Sequence, residues 1–262
     1  MKKRILVIDV GGTNVKLLLP GHKVPIKIPS GSKMTPRSMA ALVQNAARGA
    51  AYDAVTIGFP AAVVRGKILH EPANLGRGWV RFDFQRAFGK PVKVINDAAM
   101  QALGSYEGGT MLFLGLGTGL GSALIVDGAL APMELAHLPY RDGEYEDFVG
   151  LRGYKKYGKR KWRKLVKEVA RVLKAGLVAD YVVLGGGQTK VLKKLPEGCR
   201  LGSNSNAFIG GQRVWDESAQ PSPRSARAEK AARSAIGEPQ PPAEAAQASA
   251  EEPELSALPE TS

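Results

Sequence analysis

Two spacings of apolar residues organise the chain. Continuous apolar runs at "ILVIDV" from Ile5, "AVTIGFPAAVV" from Ala54, "KPVKVIND" from Lys90 and "DYVVLGGG" from Asp180 read as buried strands that end in turn or polar residues. "PRSMAALVQNAARGA" and "AAMQALGSY" read as helices. Trp162, Leu165, Val166, Val169, Leu173 and Leu177 recur at steps of three and four, the mark of an amphipathic helix. Strands alternating with helices predict an α/β fold.

The pattern also repeats. "ILVIDVGGTNVKLLL" from Ile5 and "MLFLGLGTGLGSALI" from Met111 are both strand, glycine-rich turn, strand. At an offset of 106, Gly11 falls on Gly117, while Asp9 falls on Gly115, so only the first copy keeps the acid. Two such units in successive halves predict a duplicated domain with both turns facing one cleft. The residues after Ala219 are mainly Ala, Pro, Glu and Ser, and are expected to be disordered apart from a short helix near 226–235.

Composition and charge narrow the classes. The 262 residues suffice for one or two domains with a core, and the single cysteine, Cys199, excludes an internal disulfide and a cysteine-based zinc cluster. No stretch resembles a signal peptide or a membrane span, so a cytoplasmic protein is expected. The net charge is +13; beyond residue 218 lie four basic and seven acidic residues, which leaves +16 on residues 1–218. Eleven basic residues between Arg152 and Lys174 face one acid, Glu168. Such a body favours polyanions, or is simply well solvated.

The turns carry the candidate chemistry. Glycines let backbone N–H groups cradle phosphate oxygens, so Gly11, Gly12, Thr13, Asn14 and Lys16 form one candidate phosphate loop, and Gly117, Thr118 and Gly119 a second. A third glycine run, Gly185–Gly187, could admit a nucleoside face at Gly186 and Gly187. Asp9 suits Mg²⁺ or its water shell. The P-loop signature is absent, and "GLGTGLG" continues into a strand rather than the helix of a dinucleotide fingerprint. Asn96 and Asp97 follow a buried strand; Asp97 is a candidate general base for phosphoryl transfer, or the N-cap of the next helix.

"DVGGTNVK", "INDAAMQALG", "LGLGTGLGSALIVDG" and "VVLGGG", in this order, resemble the ROK sugar kinases of the actin-like ATPase superfamily. The resemblance covers most of residues 4–215, and "LGTGLGSALIVDGALAPMELAHL" is especially similar to the polyphosphate/ATP glucokinase branch. It implies a two-lobed actin-like (ribonuclease H-like, duplicated) α/β fold. The expected divisions are 1–105 for the first lobe, 106–217 for the second, with its last helix able to return to the first, and 218–262 for the tail. It implies Asp97 as catalytic base, and Asn74, Asn96, Glu134, His137 and Glu146 as hexose ligands. Read as residues alone, Asn74 could equally be a turn residue, and Glu134 with His137 a helix-end pair.

The implied reaction moves the terminal phosphoryl group of ATP or polyphosphate, with Mg²⁺, to the primary hydroxyl of a hexose, glucose first. The family's cysteine-rich zinc segment is absent, so no structural zinc is expected and His137 is read as a sugar-hydroxyl partner. Ala61 stands where the family has glycine. The chain starts at its first strand, so a DNA-binding repressor is not expected, and neither is a nucleic-acid or membrane partner. A homodimer is compatible with the resemblance. The alternative from another class is a catalytically silent sugar sensor on the same fold, which would have no need of Asp97.

Overall fold

The computed structural model describes residues 3–203 and 205–216. Two compact units are separable, 1–222 and 223–262, and the second lies outside the described residues, as do the expected disordered tail (218–262) and the helix near 226–235.

Two sheets of the same topology form the first unit. In the first, β1 (Ile5–Val10), β2 (Asn14–Leu18) and β3 (Ile26–Pro29) make an antiparallel meander. Helix α1 (Pro36–Ala46) follows, opened by a capping box between Thr35 and Ser38. Strand β4 (Ala54–Phe59) then pairs parallel to β1. The apolar run continues past Phe59, but Pro60 ends the strand, and the run resumes only as the hairpin β5 (Val63–Val64) and β6 (Lys67–Ile68). Helix α2 (Phe84–Phe88) leads to β7 (Val92–Asn96), parallel to β4, giving the order β3-β2-β1-β4-β7.

Helix α3 (Asp97–Ser105) passes to the second sheet. There β8 (Thr110–Leu116), β9 (Leu120–Val126) and β10 (Ala129–Met133) repeat the meander. A small hairpin follows, β11 (Pro139–Tyr140) with β12 (Gly143–Glu144), then helices α4 (Tyr145–Val149) and α5 (Leu151–Gly176). Strands β13 (Tyr181–Gly185) and β14 (Cys199–Leu201) add in parallel, and α6 (Asn206–Arg213) closes the described chain. The order β10-β9-β8-β13-β14 is that of the first sheet, element for element, which is the expected duplication.

The helix expected from Trp162 onward begins eleven residues earlier, at Leu151, and is broken at Gly158, whose φ of 69° and ψ of 164° interrupt the helical backbone. None of the helices among the described residues is long and apolar enough to cross a membrane.

The helices cross between the sheets. Ala98, Ala99, Ala102 and Leu103 of α3 share a core with Met111, Phe113, Ala123 and Ile125 of the second sheet. Ala207 and Phe208 of α6 share one with Ile5, Val7 and Ala54 of the first sheet. Between α3 and α6 the approach is so close that Gly104 and Gly210 leave no room for a Cβ against the facing backbones of Asn206 and Met100. Buried Thr56 of β4 locks α6 in place: its Oγ1 donates to the Gly211 carbonyl at 2.6 Å and accepts from Trp215 Nε1 at 2.8 Å.

Candidate active site

Asp97 stands at the end of β7, on the first residue of α3. Both roles considered for it cannot hold together, and the cap falls to its neighbour. Asn96 is the N-cap, its Oδ1 accepting from the Ala99 N–H at 3.1 Å while its Nδ2 donates to the Ala61 carbonyl at 3.2 Å. Both ends of the Asn96 amide are thereby bound to backbone. Asp97 Oδ1 accepts only a local bond from the Ala98 N–H at 2.8 Å. Protein atoms crowd around the Asp97 carboxyl, and this loss of water pushes its pKa up to about 7; the carboxylates of Asp9 and Glu134 add to the rise, and the Ala98 N–H opposes it. A carboxyl poised there can accept a proton near neutral pH.

Asp9 lies on β1 opposite Lys16 of β2, and Lys16 Nζ donates to Asp9 Oδ2 at 3.0 Å. The cross-strand register therefore gives Lys16 a carboxylate partner as well as a place beside the loop. Mg²⁺ commonly keeps several waters and uses one or two carboxylates plus phosphate oxygens. A single Asp9 beside a glycine loop fits that donor set, and no group of three or more His, Cys, Asp or Glu is gathered for a metal among the described residues.

The first glycine turn is built for close approach. The Gly11 N–H donates to the Asn14 carbonyl at 3.1 Å, and a Cβ on Gly12 would come within 2.8 Å of Asn74 Cβ. Asn74 is thus brought to the Asp9 turn, and its loop is tied together by contacts the sequence does not advertise. The Glu71 carboxylate accepts from the backbone N–H groups of Gly78, Trp79 and Val80 at 3.1–3.3 Å, and Trp79 Nε1 donates to the Gly76 carbonyl at 2.7 Å. Trp79 itself is fully buried against Phe59.

Glu134 is held by a buried residue on a neighbouring strand. Ser122 Oγ of β9 donates to the Met133 carbonyl and accepts from the Leu135 N–H, both at 3.0 Å, so it grips the chain on either side of Glu134. Burial raises the Glu134 carboxyl above its ordinary value; Glu146 adds to this, while His137 and His70 oppose it. His137 sits on the following 3-10 turn, Leu135–His137. Its partner is not Glu134 but Glu144 of β12, with His137 Nδ1 and Glu144 Oε2 at 2.9 Å. That contact is the largest cause of the raised His137 pKa.

Glu146, on α4, reaches the second glycine turn: a Cβ on Gly119 would clash with its Oε2. The turn at Gly117, Thr118 and Gly119 is closed by a Gly117 N–H to Gly119 carbonyl bond at 3.2 Å. The first residue of α5 is seated on it, the Leu151 N–H donating to the carbonyls of Gly117 and Thr118 at 3.1 Å. Gly186, with φ 85°, backs directly onto the Leu116 carbonyl, so the third glycine run abuts the second, while Gly187 is open to solvent. Gln101, one turn along α3 from Asp97, has a buried Oε1 with no hydrogen-bond partner beside Gly185.

Contacts and mutual electrostatics therefore link several of the expected residues. Asp97 senses Asp9 and Glu134, and Glu134 senses His137 and Glu146. Gly12 touches Asn74, and Glu146 touches Gly119. Glu71, Ser122 and Glu144 were not among the expected residues. "EPANLGRGW" contains Glu71, and an acid opening a glycine-rich loop is the signal that could have found it.

The ROK family model matches residues 5–132. The polyphosphate glucokinase of Mycobacterium leprae (strain TN) is 27% identical over 205 residues, covering 71% of this chain and 60% of that protein. The chain thus spans less than two thirds of that relative's length. The polyphosphate glucokinase of Mycobacterium tuberculosis (strain CDC 1551 / Oshkosh) is 26% identical over 211 residues, covering 71% of this chain and 78% of that one. Among solved structures, the inorganic polyphosphate/ATP-glucomannokinase from Arthrobacter sp. strain KM superposes with a TM-score of 0.69 at 25% identity, over 81% of this chain and 98% of that one.

Proposed function

We propose that the chain is a ROK-family sugar kinase that moves the terminal phosphoryl group of polyphosphate or ATP to the primary hydroxyl of a hexose, glucose first, a reading supported by the match of the family model to residues 5–132. The observation that carries this reading is Asp97: a carboxyl freed from capping by Asn96 and pushed up to about 7 beside a second carboxylate, Asp9, at a glycine turn. A sensor would have no use for such a base.

In this reading Asp97 accepts the hydroxyl proton as the oxygen attacks the phosphorus, and the leaving phosphate chain departs in line. Asn74 and Glu134 hold sugar hydroxyls, with Glu71 bracing the far end of the loop that carries Asn74 and Ser122 bonded to the residues on either side of Glu134. His137, turned by Glu144, supplies a further donor, and Glu146 spans from the sugar to the second glycine turn. Asn96 acts chiefly by fixing the start of α3, since its amide is already engaged. The N–H groups of the turns at Gly11–Asn14 and Gly117–Gly119 receive donor phosphates, with Gly186 and Gly187 beside a nucleoside when the donor is ATP. Mg²⁺, held by donor phosphates and water with Asp9 in its shell, would neutralise the charge of the transferring group. Lys16 moves its charge between Asp9 and phosphate.

The test is a matrix of donors (ATP, long-chain polyphosphate) against sugars (glucose, mannose, N-acetylmannosamine, fructose) with purified protein and Mg²⁺, reading sugar phosphate by mass spectrometry. Glucose 6-phosphate from at least one donor is expected. Sugar binding without any phosphorylated product would favour the sensor.

A further inference from the structure

The exposed side of α5 carries a row of cations that lies outside the candidate active site. Beyond the break at Gly158, Arg160, Arg163, Lys164, Lys167, Arg171 and Lys174 follow at steps of three, one, three, four and three. At 100° per residue these fall on one side of the helix, opposite the buried Trp162, Leu165, Val169 and Leu173. The row is about 21 Å long, from fourteen rises of about 1.5 Å.

Three observations give it a direction and a load. None of the six cations belongs to an ion pair among the described residues. The one acid of the helix, Glu168, is drawn to Arg141 and Tyr140 on another flank, at 2.7–2.9 Å. The near end adjoins the third glycine run: Arg163 Nε donates at 2.7 Å to the Val191 carbonyl, at the end of the turn that continues from Gly187, and the same helix starts, before its break, on the second glycine turn. The far end opens into a groove of about 800 Å³ between Lys167, Arg171 and Lys174 on one side and Pro196–Gly198 on the other, with Asp180 and Glu197 also in its wall. Asp180 is engaged there, accepting from the Thr110 N–H at 2.7 Å.

We propose that this face of α5 is a rail for the non-reacting length of a polyphosphate donor, whose end lies at the glycine turns and whose distal units reach the groove at Lys174. The inference rests on the kinase reading for its near end. Six unpaired like charges in a row repel one another, and a flexible linear polyanion relieves this along the whole row. ATP carries too few phosphates to extend so far. A nucleic acid fits less well, because beyond the break at Gly158 the one aromatic residue of this helix, Trp162, is buried, and Tyr154 and Tyr157 before the break are half-buried against the same core.

The experiment uses the full chain, wild type and two variants of equal charge change. One is Lys164→Gln/Lys167→Gln/Arg171→Gln on the rail. The other is Lys23→Gln/Lys27→Gln/Lys33→Gln, exposed residues of the first lobe. Binding of fluorescent long-chain polyphosphate is followed against salt, and initial rates are measured with long-chain polyphosphate, tripolyphosphate and ATP. Each lost phosphate contact removes about 0.7–0.9 from the slope of log affinity against log salt, so the rail variant should lose about two to three and bind at least about tenfold more weakly in moderate salt. Its rates with ATP and tripolyphosphate should equal wild type, as should every property of the first-lobe variant. Equal losses in both variants, or equal losses with all three donors, would overturn the rail. So would stripe-dependent binding of single-stranded DNA as tight as that of polyphosphate. Stripe-dependent polyphosphate binding without sugar phosphorylation by any donor would instead overturn the kinase reading and leave the polyanion site standing.

Discussion

Replacing Asp97 with Asn should change stability in a way that depends on pH and reports the residue's surroundings directly. The folded protein holds this carboxyl near 7 against an ordinary value of 3.8. Between those values the unfolded chain is ionised while the folded one keeps the proton, so rising pH favours unfolding by about 1.36 kcal/mol per pH unit. Below 3.8 the effect is absent, and above about 7 it is complete, at most roughly 4 kcal/mol. Asn is close in shape, keeps an oxygen for the Ala98 N–H, and never ionises. Asp97→Asn should therefore be more stable than wild type at pH 8, and its advantage should shrink by up to about 3 kcal/mol at pH 5. Urea denaturation of both proteins at the two pH values measures the difference. An advantage that stays the same within about 0.5 kcal/mol would mean that Asp97 titrates as an ordinary surface acid, and the argument for a poised base would fail.

Three further outcomes follow from other contacts. Gly12→Ala forces its new Cβ against Asn74 and should raise the hexose KM by about ten- to a hundredfold in a steady-state assay, while an unchanged KM would remove Asn74 from the sugar site. Thr56→Val leaves the Gly211 carbonyl and Trp215 Nε1 without their partner and should lower stability by about 2–4 kcal/mol in urea; a change under about 0.5 kcal/mol would show that α6 is held by packing alone. Glu144→Gln removes the main cause of the raised His137 pKa, so the His137 midpoint in an NMR titration should fall toward its ordinary value of 6.5, and an unmoved midpoint would refute the pairing.

The glycine turns and the strand ending in Asn96 and Asp97 were legible because their information is local: apolar runs, turn residues and an acid lie within a few positions of one another. The duplication was legible for the same reason, and the sheet orders repeat it. The choice between base and cap at Asp97 was not, since Asn96 and Asp97 are both good capping residues and only the direction of the Asn96 side chain decides. The start of α5 was hidden by Gly153 and Gly158, poor helix formers that blur the apolar spacing before Trp162. Ser122 bridges to residues 11 and 13 positions away, and Thr56 to one 155 away. A lone hydroxyl on an apolar strand gives no sign of such a partner until the strands are paired. Glu144 escaped because "EYED" offers three acids in a row of four, and the β11–β12 hairpin, too short for a clear pattern, decides which one meets His137.

The central claim, that Asp97 takes the proton of a hexose hydroxyl during phosphoryl transfer, is tested most directly by turnover and sugar binding in the same Asp97→Asn protein. Phosphorylation of glucose with saturating donor and Mg²⁺ is followed by sugar-phosphate formation, and glucose affinity by calorimetry. Turnover should fall by about 10²–10⁴-fold, the usual worth of a positioned acid or base, with glucose affinity changed by less than about tenfold. A folded Asp97→Asn protein that phosphorylates glucose at close to the wild-type rate would contradict the account.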